Sequence, residues 1–203
     1  VIIAKYISDL GAEVSYHKFH PQLNQFRPLG FFAGPDTETR RDTVDCSLNG
    51  VNMVGIIRAP RGDGKESIVL VTPYDFEKTA PGETHALSIG FVVFSLLSRV
   101  TWLAKDIIWL VADSQFGDYA PVDAWLNEYH TPAFGPSVCG GGNSSSLLVN
   151  DFKRAGTMAA ALILKVAETN DHTEDALNIY AEASNGQMPN LDLINIVSYL
   201  AVH

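Results

Sequence analysis

Three side chains that could bind a metal ion lie at or just after short apolar runs. Asp75 follows SIVLVTPY, His85 comes shortly after it, and Asp113 ends the run DIIWLVAD. In open α/β sheets, ligands bind outside the carboxyl ends of the strands, where such residues would meet. A zinc hydrolase needs neutral imidazoles and ionised carboxylates around the ion, with a carboxylate free to act as general base. The alternative is structural, with Asp75 capping a loop and Asp113 closing a strand, and this is our expectation.

Other reactive side chains form weaker patterns. His17 and His20 in YHKFH would lie on opposite faces of a strand, and we expect them to be solvated or at a sheet edge. Cys139 follows His130 by nine residues within a glycine-rich region, but separation along the chain does not establish a Cys–His nucleophile pair. Ser114 in ADSQFGD lacks the G-x-S-x-G elbow of serine hydrolases. None of these patterns predicts an active site.

Strands and helices alternate along the chain. Helical spacing is found in IIAKYISDL, which ends at Gly11, and in LDLINIVSYLAV. Further helices are predicted over about 84–100 and VDAWLNEYH; strands over 14–19, DIIWLVAD, AAALILKVA and ALNIYAEA; and loops over 20–45 and FGPSVCGGGNSSS. The segment NGVNMVGIIRAPRGDGKESIVLVTPY predicts a hairpin of two β-branched runs. The order predicts one α/β domain over residues 1–203, with three α/β/α layers and a mixed, largely parallel sheet that this hairpin enters.

Composition excludes several classes of protein. A net charge of −9 over 203 residues argues against a general nucleic-acid binder, which needs clustered cations. The apolar stretch Ala86–Ala104 contains Arg99 and four hydroxyl residues, so we expect a buried helix in place of a membrane span. Cys46 and Cys139 could form one disulfide in an oxidising compartment. Asn143-Ser144-Ser145 is a candidate glycosylation acceptor.

Five stretches together resemble a known family. They are GVNMVGIIRAPRGDGKESIVLVTPY, TWLAKDIIWLVAD, AWLNEYH, FKRAGTMAAALILKV and SNGQMPNLDLINIV, of which NGQMPNLDL is the most specific. These look like the luminal domain of the Gaa-type GPI-anchor attachment subunit of the glycosylphosphatidylinositol (GPI) transamidase. The resemblance covers most of the chain and is weakest in residues 20–45 and in the Gly/Ser loop.

The resemblance implies a membrane protein of the endoplasmic reticulum, of which this chain would be the first part of the luminal domain, without the membrane helices. Implied partners are the other transamidase subunits, the GPI lipid and the precursor proteins. A separate caspase-like subunit would carry the Cys–His nucleophile of the complex. We expect the chain itself to be a piece of a longer protein.

The luminal domain of this family is similar to zinc aminopeptidases with two metal ions, and this likeness implies a degraded site. The His-x-Asp motif of those enzymes falls at Pro73-Tyr74-Asp75, so the first imidazole is missing. The bridging Asp falls near Thr84 or His85, and a Glu-Glu pair falls at Asp113-Ser114. A further acidic ligand falls at Lys165, whose ammonium would repel a cation, and the last histidine would lie beyond His203.

Two functions follow from these observations. The first is a non-catalytic subunit that recognises the GPI lipid or the precursor and scaffolds anchor attachment, with no catalytic residue, metal or other cofactor expected. The second is a metal-dependent, aminopeptidase-like or peptide-bond-forming enzyme that uses zinc with Asp75, His85 and Asp113. A third possibility, a soluble interaction domain outside this family, conflicts with the NGQMPNLDL match.

Overall fold

The structure is a computed structural model, and it describes residues 2–19, 50–75, 80–117, 119–130, 152–166, 179 and 191–202. The helices are α1 (Ile2–Asp9), α2 (Pro81–Leu97), α3 (Ala120–His130) and α4 (Leu191–Val202). The strands are β1 (Glu13–Phe19), β2 (Gly50–Ile57), β3 (Glu66–Tyr74), β4 (Asp106–Asp113) and β5 (Thr157–Ile163), with a short 3-10 helix at Ser114–Phe116. The chain divides into two compact units, Val1–Glu168 and Thr169–His203.

The first unit contains a five-stranded sheet in the order β1-β2-β4-β3-β5. Strand β2 is antiparallel to both β1 and β4, whereas β3 is parallel to β4 and to β5. Four of the described strands therefore point one way and only β2 points the other way. The predicted α/β fold with a mixed, largely parallel sheet is confirmed.

Strand β4 lies in the centre of the sheet because its residues are apolar on both faces. All eight residues of DIIWLVAD are buried, as expected for a strand covered on both sides. On one face Ile107, Trp109 and Val111 pack with residues of α1 and α2, including Ile7, Leu87 and Phe94. On the other face Ile108, Leu110 and Ala112 pack with Trp125 and Tyr129 of α3. These contacts form the three α/β/α layers.

Helix α2 lies unusually close to the sheet at Gly90. A Cβ atom at this position would lie 2.8 Å from Thr72 Cγ2 and 3.1 Å from the Trp109 ring. Those two neighbours are themselves joined, since Trp109 Nε1 donates to Thr72 Oγ1 at 3.0 Å. The absence of a side chain at Gly90 therefore allows the helix to pack directly on this buried pair.

The predicted hairpin between β2 and β3 is wrong. The two segments are strands, but β4 lies between them, and β2 pairs with β1 and β4 instead. The connection from Arg58 to Lys65 crosses the start of β4, where Asp106 holds it in place: Asp106 Oδ1 accepts from Ala59 N at 2.8 Å and Oδ2 from Arg58 Nη1 at 3.1 Å. The turn-rich connection thus crosses over β4, a strand whose residues are all buried.

Several other boundaries agree with the sequence, and some lie outside the described residues. Gly11 has a positive φ of 81° just after α1, as predicted for a C-cap. Residues 86–97 of the apolar stretch belong to α2, which packs on β3. The expected burial holds for one face of this helix only, because Ile89, Val92 and Leu96 are exposed. No helix among the described residues is long and apolar enough to cross a membrane. In the second unit the predicted helix is found as α4. The predicted loops at 20–45 and FGPSVCGGGNSSS, and the strand ALNIYAEA apart from Ile179, lie outside the described residues.

Candidate functional site at the carboxyl edge of the sheet

The carboxylate of Asp113 is occupied by backbone donors. Its residue is 5% exposed. Val51 N donates to Oδ2 at 3.0 Å and Gln115 N donates to Oδ1 at 3.3 Å. The side chain therefore caps the 3-10 helix after β4 and joins β4 to the start of β2. This is the strand-closing role expected for Asp113 from the sequence.

Glu83 joins three elements at the same edge. It lies in the first turn of α2, where a negative charge interacts favourably with the helix dipole. Its Oε1 accepts from the Ser114 hydroxyl at 2.7 Å, and its Oε2 accepts from Asp75 N at 2.9 Å. The ends of β3 and β4 are thus tied to the start of α2 by one carboxylate.

The three predicted metal ligands do not occupy equivalent environments. Asp113 is buried, Asp75 is half-buried, and His85 is exposed. Residues two apart on a helix do not face each other, so when Glu83 turns toward β3 and β4, His85 turns away. Among the residues that the structure describes, no three His, Cys, Asp or Glu side chains are grouped so that they could hold a metal ion.

The other positions aligned with metal ligands have ordinary structural environments. Pro73 lies within β3, opposite Ala112 of β4. The Thr84 hydroxyl donates to Ala80 O at 3.1 Å in the first turn of α2. Lys165 follows β5 and is exposed. The remaining candidates Cys46, Cys139, Asn143, His20 and His203 lie outside the described residues.

A buried polar network extends from Asp113 toward α3. Asn52 on β2 is fully buried and its Oδ1 accepts from Asp113 N at 3.0 Å. Its Nδ2 donates to Pro121 O at 2.7 Å and contacts His17 Nδ1 at 3.2 Å. An amide nitrogen carries two donor hydrogens and no acceptor. His17 Nδ1 is therefore the acceptor, and all hydrogen-bonding groups of Asn52 are satisfied along this line.

These contacts define the protonation of His17. With Nδ1 accepting, Nε2 carries the proton and donates to Glu128 Oε2 at 3.0 Å. Burial lowers the pKa of His17 below its ordinary value of 6.5, and the negative charge of Glu128 opposes this effect only in part. The imidazole is therefore neutral near pH 7 and connects β1 to α3.

Of the two alternatives expected for His17, the sheet edge is right, because β1 is an edge strand of the described sheet, and solvation is wrong. The residue is 3% exposed and its ring stacks on Phe19. Alternation along β1 placed His17 on the face toward α3, where Asn52 and Glu128 satisfy its two nitrogens. A polar Asn within the apolar run GVNMVGII was the signal that could have indicated this network, because buried amides require partners.

The comparisons with known proteins identify the family. A family model described as "Gaa1-like, GPI transamidase component" matches residues 49–203, which is most of the chain. The chain belongs to the Gaa1-like family of GPI transamidase components. The resemblance stated from the sequence is confirmed.

Two relatives bear the same name. The chain is 29% identical over 197 residues to the "GPI transamidase component gaa1" of Schizosaccharomyces pombe, covering 94% of this chain and 30% of the relative. It is 29% identical over 154 residues to the "GPI transamidase component GAA1" of Saccharomyces cerevisiae, covering 76% of this chain and 21% of that protein. The chain thus spans less than a third of the length of either relative.

Two solved structures of Porphyromonas gingivalis glutaminyl cyclase are similar in part. Their TM-scores are 0.44 and 0.41, each with 12% identity over 81% of this chain. The matched regions cover 48% and 50% of the cyclase chains. Neither likeness assigns a role to any residue of this protein.

Proposed function

We propose that the chain is part of a non-catalytic subunit of the GPI transamidase of the endoplasmic reticulum, in which it lies on the luminal side. The subunit recognises the GPI lipid or the precursor protein and scaffolds the attachment of the anchor by a separate, cysteine protease-like subunit. Membership of the Gaa1-like family supports the place in the complex.

The observation that carries the non-catalytic role is the occupation of the two carboxylates at the sheet edge. Both oxygens of Asp113 accept from backbone N–H groups, and both oxygens of Glu83 accept from the protein. A catalytic metal site instead presents carboxylate oxygens to the ion and leaves one position for water. Here the edge is stabilised by hydrogen bonds among its own elements.

The competing hypothesis is a metal-dependent peptidase or peptide-bond-forming enzyme that uses zinc with Asp75, His85 and Asp113. Its support is that Asp75 and Asp113 end neighbouring parallel strands, since Tyr74 is opposite Asp113 in the register of β3 and β4. The exposed position of His85 opposes it, because an imidazole ligand would have to turn back over the first turn of α2.

Metal content separates the two hypotheses. We expect well below one zinc ion per chain by elemental analysis after equilibration with zinc and removal of unbound metal, in both the parent and an Asp75→Ala variant. One or two tightly held zinc ions per chain, lost in Asp75→Ala while the circular dichroism spectrum is unchanged, would overturn the proposal.

A cellular experiment tests the place in the complex. In cells depleted of the endogenous subunit, the full-length protein should restore surface display of a GPI-anchored reporter. We expect His85→Ala to restore it as well as the matched exposed control Ser88→Ala on the same helix. A loss of more than tenfold that is specific to His85→Ala would indicate chemistry at this edge.

A further inference from the structure

The amino edge of the sheet, where β3, β4 and β5 begin, carries most of the described cations. They are Arg58, Arg61, Lys65, Lys105, Lys153 and Arg154. Four carboxylates lie among them, at Glu13, Asp63, Glu66 and Asp106. This edge is therefore basic in a protein whose net charge is −9, whereas two of the three predicted candidates at the opposite edge, Asp75 and Asp113, are acidic.

An open groove of about 530 Å³ lies at this basic edge, between the end of α3 and the start of β5. Its lining consists of Lys65, Tyr129, His130, Ala155, Gly156 and Thr157. The size is within the range of sites for small organic ligands. Lys65 precedes β3, His130 ends α3 and Thr157 begins β5, so three separate segments line the groove, and each of these residues has a side chain that can donate a hydrogen bond.

Backbone contacts hold the floor of the groove in place. The Tyr129 hydroxyl shares its one hydrogen between Ala155 O and Gly156 O, the latter at 2.7 Å, while Thr157 N donates to Lys65 O at 2.6 Å. A Cβ atom at Gly156 would lie 2.0 Å from the carbonyl carbon of Lys65, so these segments approach as closely as glycine allows. The backbone of the lining segments is therefore positioned by the fold.

Arg154 offsets the partial negative charge that the carboxyl end of α3 places beside the groove. The carboxyl end of a helix has a partial negative charge on its last carbonyl groups. Arg154 Nε donates to Tyr129 O at 3.1 Å and its Nη2 donates to Glu128 O at 2.8 Å. The guanidinium thus covers the end of α3 beside the groove with positive charge.

The charge of Lys65 remains available to a ligand. Its ammonium is 2.9 Å from Asp63 Oδ2, but the two side chains are 80% and 62% exposed. Exposed pairs of this kind contribute little stability and exchange readily with other partners. A ligand with more negative charge than one carboxylate would therefore compete for Lys65.

We propose that this groove binds a phosphate ester, with Lys65 contacting the phosphate and His130 and Thr157 donating hydrogen bonds to it. Lysine is a common phosphate ligand that acts as a point charge, and the volume leaves room for the esterified group. Only the source of this ester rests on the proposed function. The source is either the headgroup of a lipid or a soluble phosphate ester.

The test is a titration of the intact chain with glycerol phosphate, followed by amide chemical shifts. We expect saturable shifts centred on residues 65, 130 and 157 that weaken as salt rises. Lys65→Gln should reduce the affinity by about fivefold, the effect of one charge near 4 Å in a water-like dielectric. Lys18→Gln is the matched control, because Lys18 is an exposed lysine near the far end of β1.

Vesicles separate the two sources of the phosphate. Binding of glycerol phosphate together with binding to phosphatidylinositol vesicles, but not to phosphatidylcholine vesicles, would support a lipid headgroup. Binding of glycerol phosphate alone would support a soluble ester. The proposal is overturned if no saturable shift occurs at the groove, or if Lys18→Gln weakens binding as much as Lys65→Gln. Zinc content is independent of these results, so failure here leaves the proposed function untouched.

Discussion

Replacement of Asn52 by leucine tests the buried network most directly. Leucine has a similar size, but it leaves three buried groups without their partner: Asp113 N, Pro121 O and His17 Nδ1. An unsatisfied buried group costs roughly 1–3 kcal/mol, and at about 1.5 kcal/mol each the three groups together cost about 4–5 kcal/mol. The added apolar surface offsets about 1–2 kcal/mol of this. We therefore expect the free energy of unfolding to fall by about 3 kcal/mol, a large share of the roughly 5–15 kcal/mol typical of a domain.

Urea unfolding followed by tryptophan fluorescence measures this loss, since Trp109 and Trp125 are buried on opposite faces of the sheet. With a slope of roughly 1–3 kcal/mol per molar urea, the midpoint should decrease by about 1–3 M. Asn127→Leu is the matched control, because Asn127 is exposed on α3 and its amide contacts only Asp123 in the described structure, at 3.2 Å. A loss below about 1 kcal/mol for Asn52→Leu, similar to that of Asn127→Leu, would refute the reasoning.

Three further predictions concern other charged groups. Because burial depresses the pKa of His17, the unfolded chain takes up the proton first, and stability should fall as the pH decreases below about 6.5. Urea midpoints at pH 7.5, 6.5 and 5.5 should decrease less for His17→Gln than for the parent chain, and an equal decrease would contradict this account. Glu83→Ala should lower the free energy of unfolding by about 1–2 kcal/mol because Ser114 Oγ and Asp75 N lose their acceptor. Thermal unfolding should show a smaller loss for Glu83→Gln, and equal losses for the two variants would contradict this role of the acceptor. Arg58→Ala should lower the free energy of unfolding by about 2 kcal/mol, because the buried Asp106 carboxylate keeps Ala59 N and loses its guanidinium partner. This figure is discounted for the 44% exposure of the Arg58 side chain. Full recovery of the urea midpoint in Arg58→Lys would contradict a need for the guanidinium to contact both Glu13 and Asp106.

Most elements could be predicted from the sequence, but the order of the strands could not. Helical and strand periodicity is local, and it located α1, β1, β4, α3 and α4 to within a few residues. The pairing of strands depends instead on which run is apolar on both faces. DIIWLVAD is buried on both faces and lies between β2 and β3, a position that the periodicity of a single run does not specify.

The candidate site was predicted in part. Strand ends correctly located Asp75 and Asp113 at one edge, since that inference uses only the parallel direction of β3 and β4. The partners of Asp113 are backbone groups of Val51 and Gln115, and any residue type could supply these donors. The pairing of His17 with Asn52 and Glu128 joins positions far apart in the chain, so local spacing could not specify these partners, although a polar Asn within an apolar run indicates that a buried partner is required.

The insertion of β4 between β2 and β3 has a consequence for how the chain folds. During synthesis, residues 50–57 and 66–74 emerge well before residues 106–113, the strand that separates them. Until then, each of these strands has an edge of unpaired backbone N–H and C=O groups that could pair wrongly, most simply as the hairpin that their connection suggests. Contacts of this separation slow folding, and open edges of this kind are where chains aggregate. Arg58→Ala removes one of the contacts that hold the connection on Asp106. We therefore expect this variant to refold more slowly and to form more misfolded material than another variant with the same loss in free energy of unfolding.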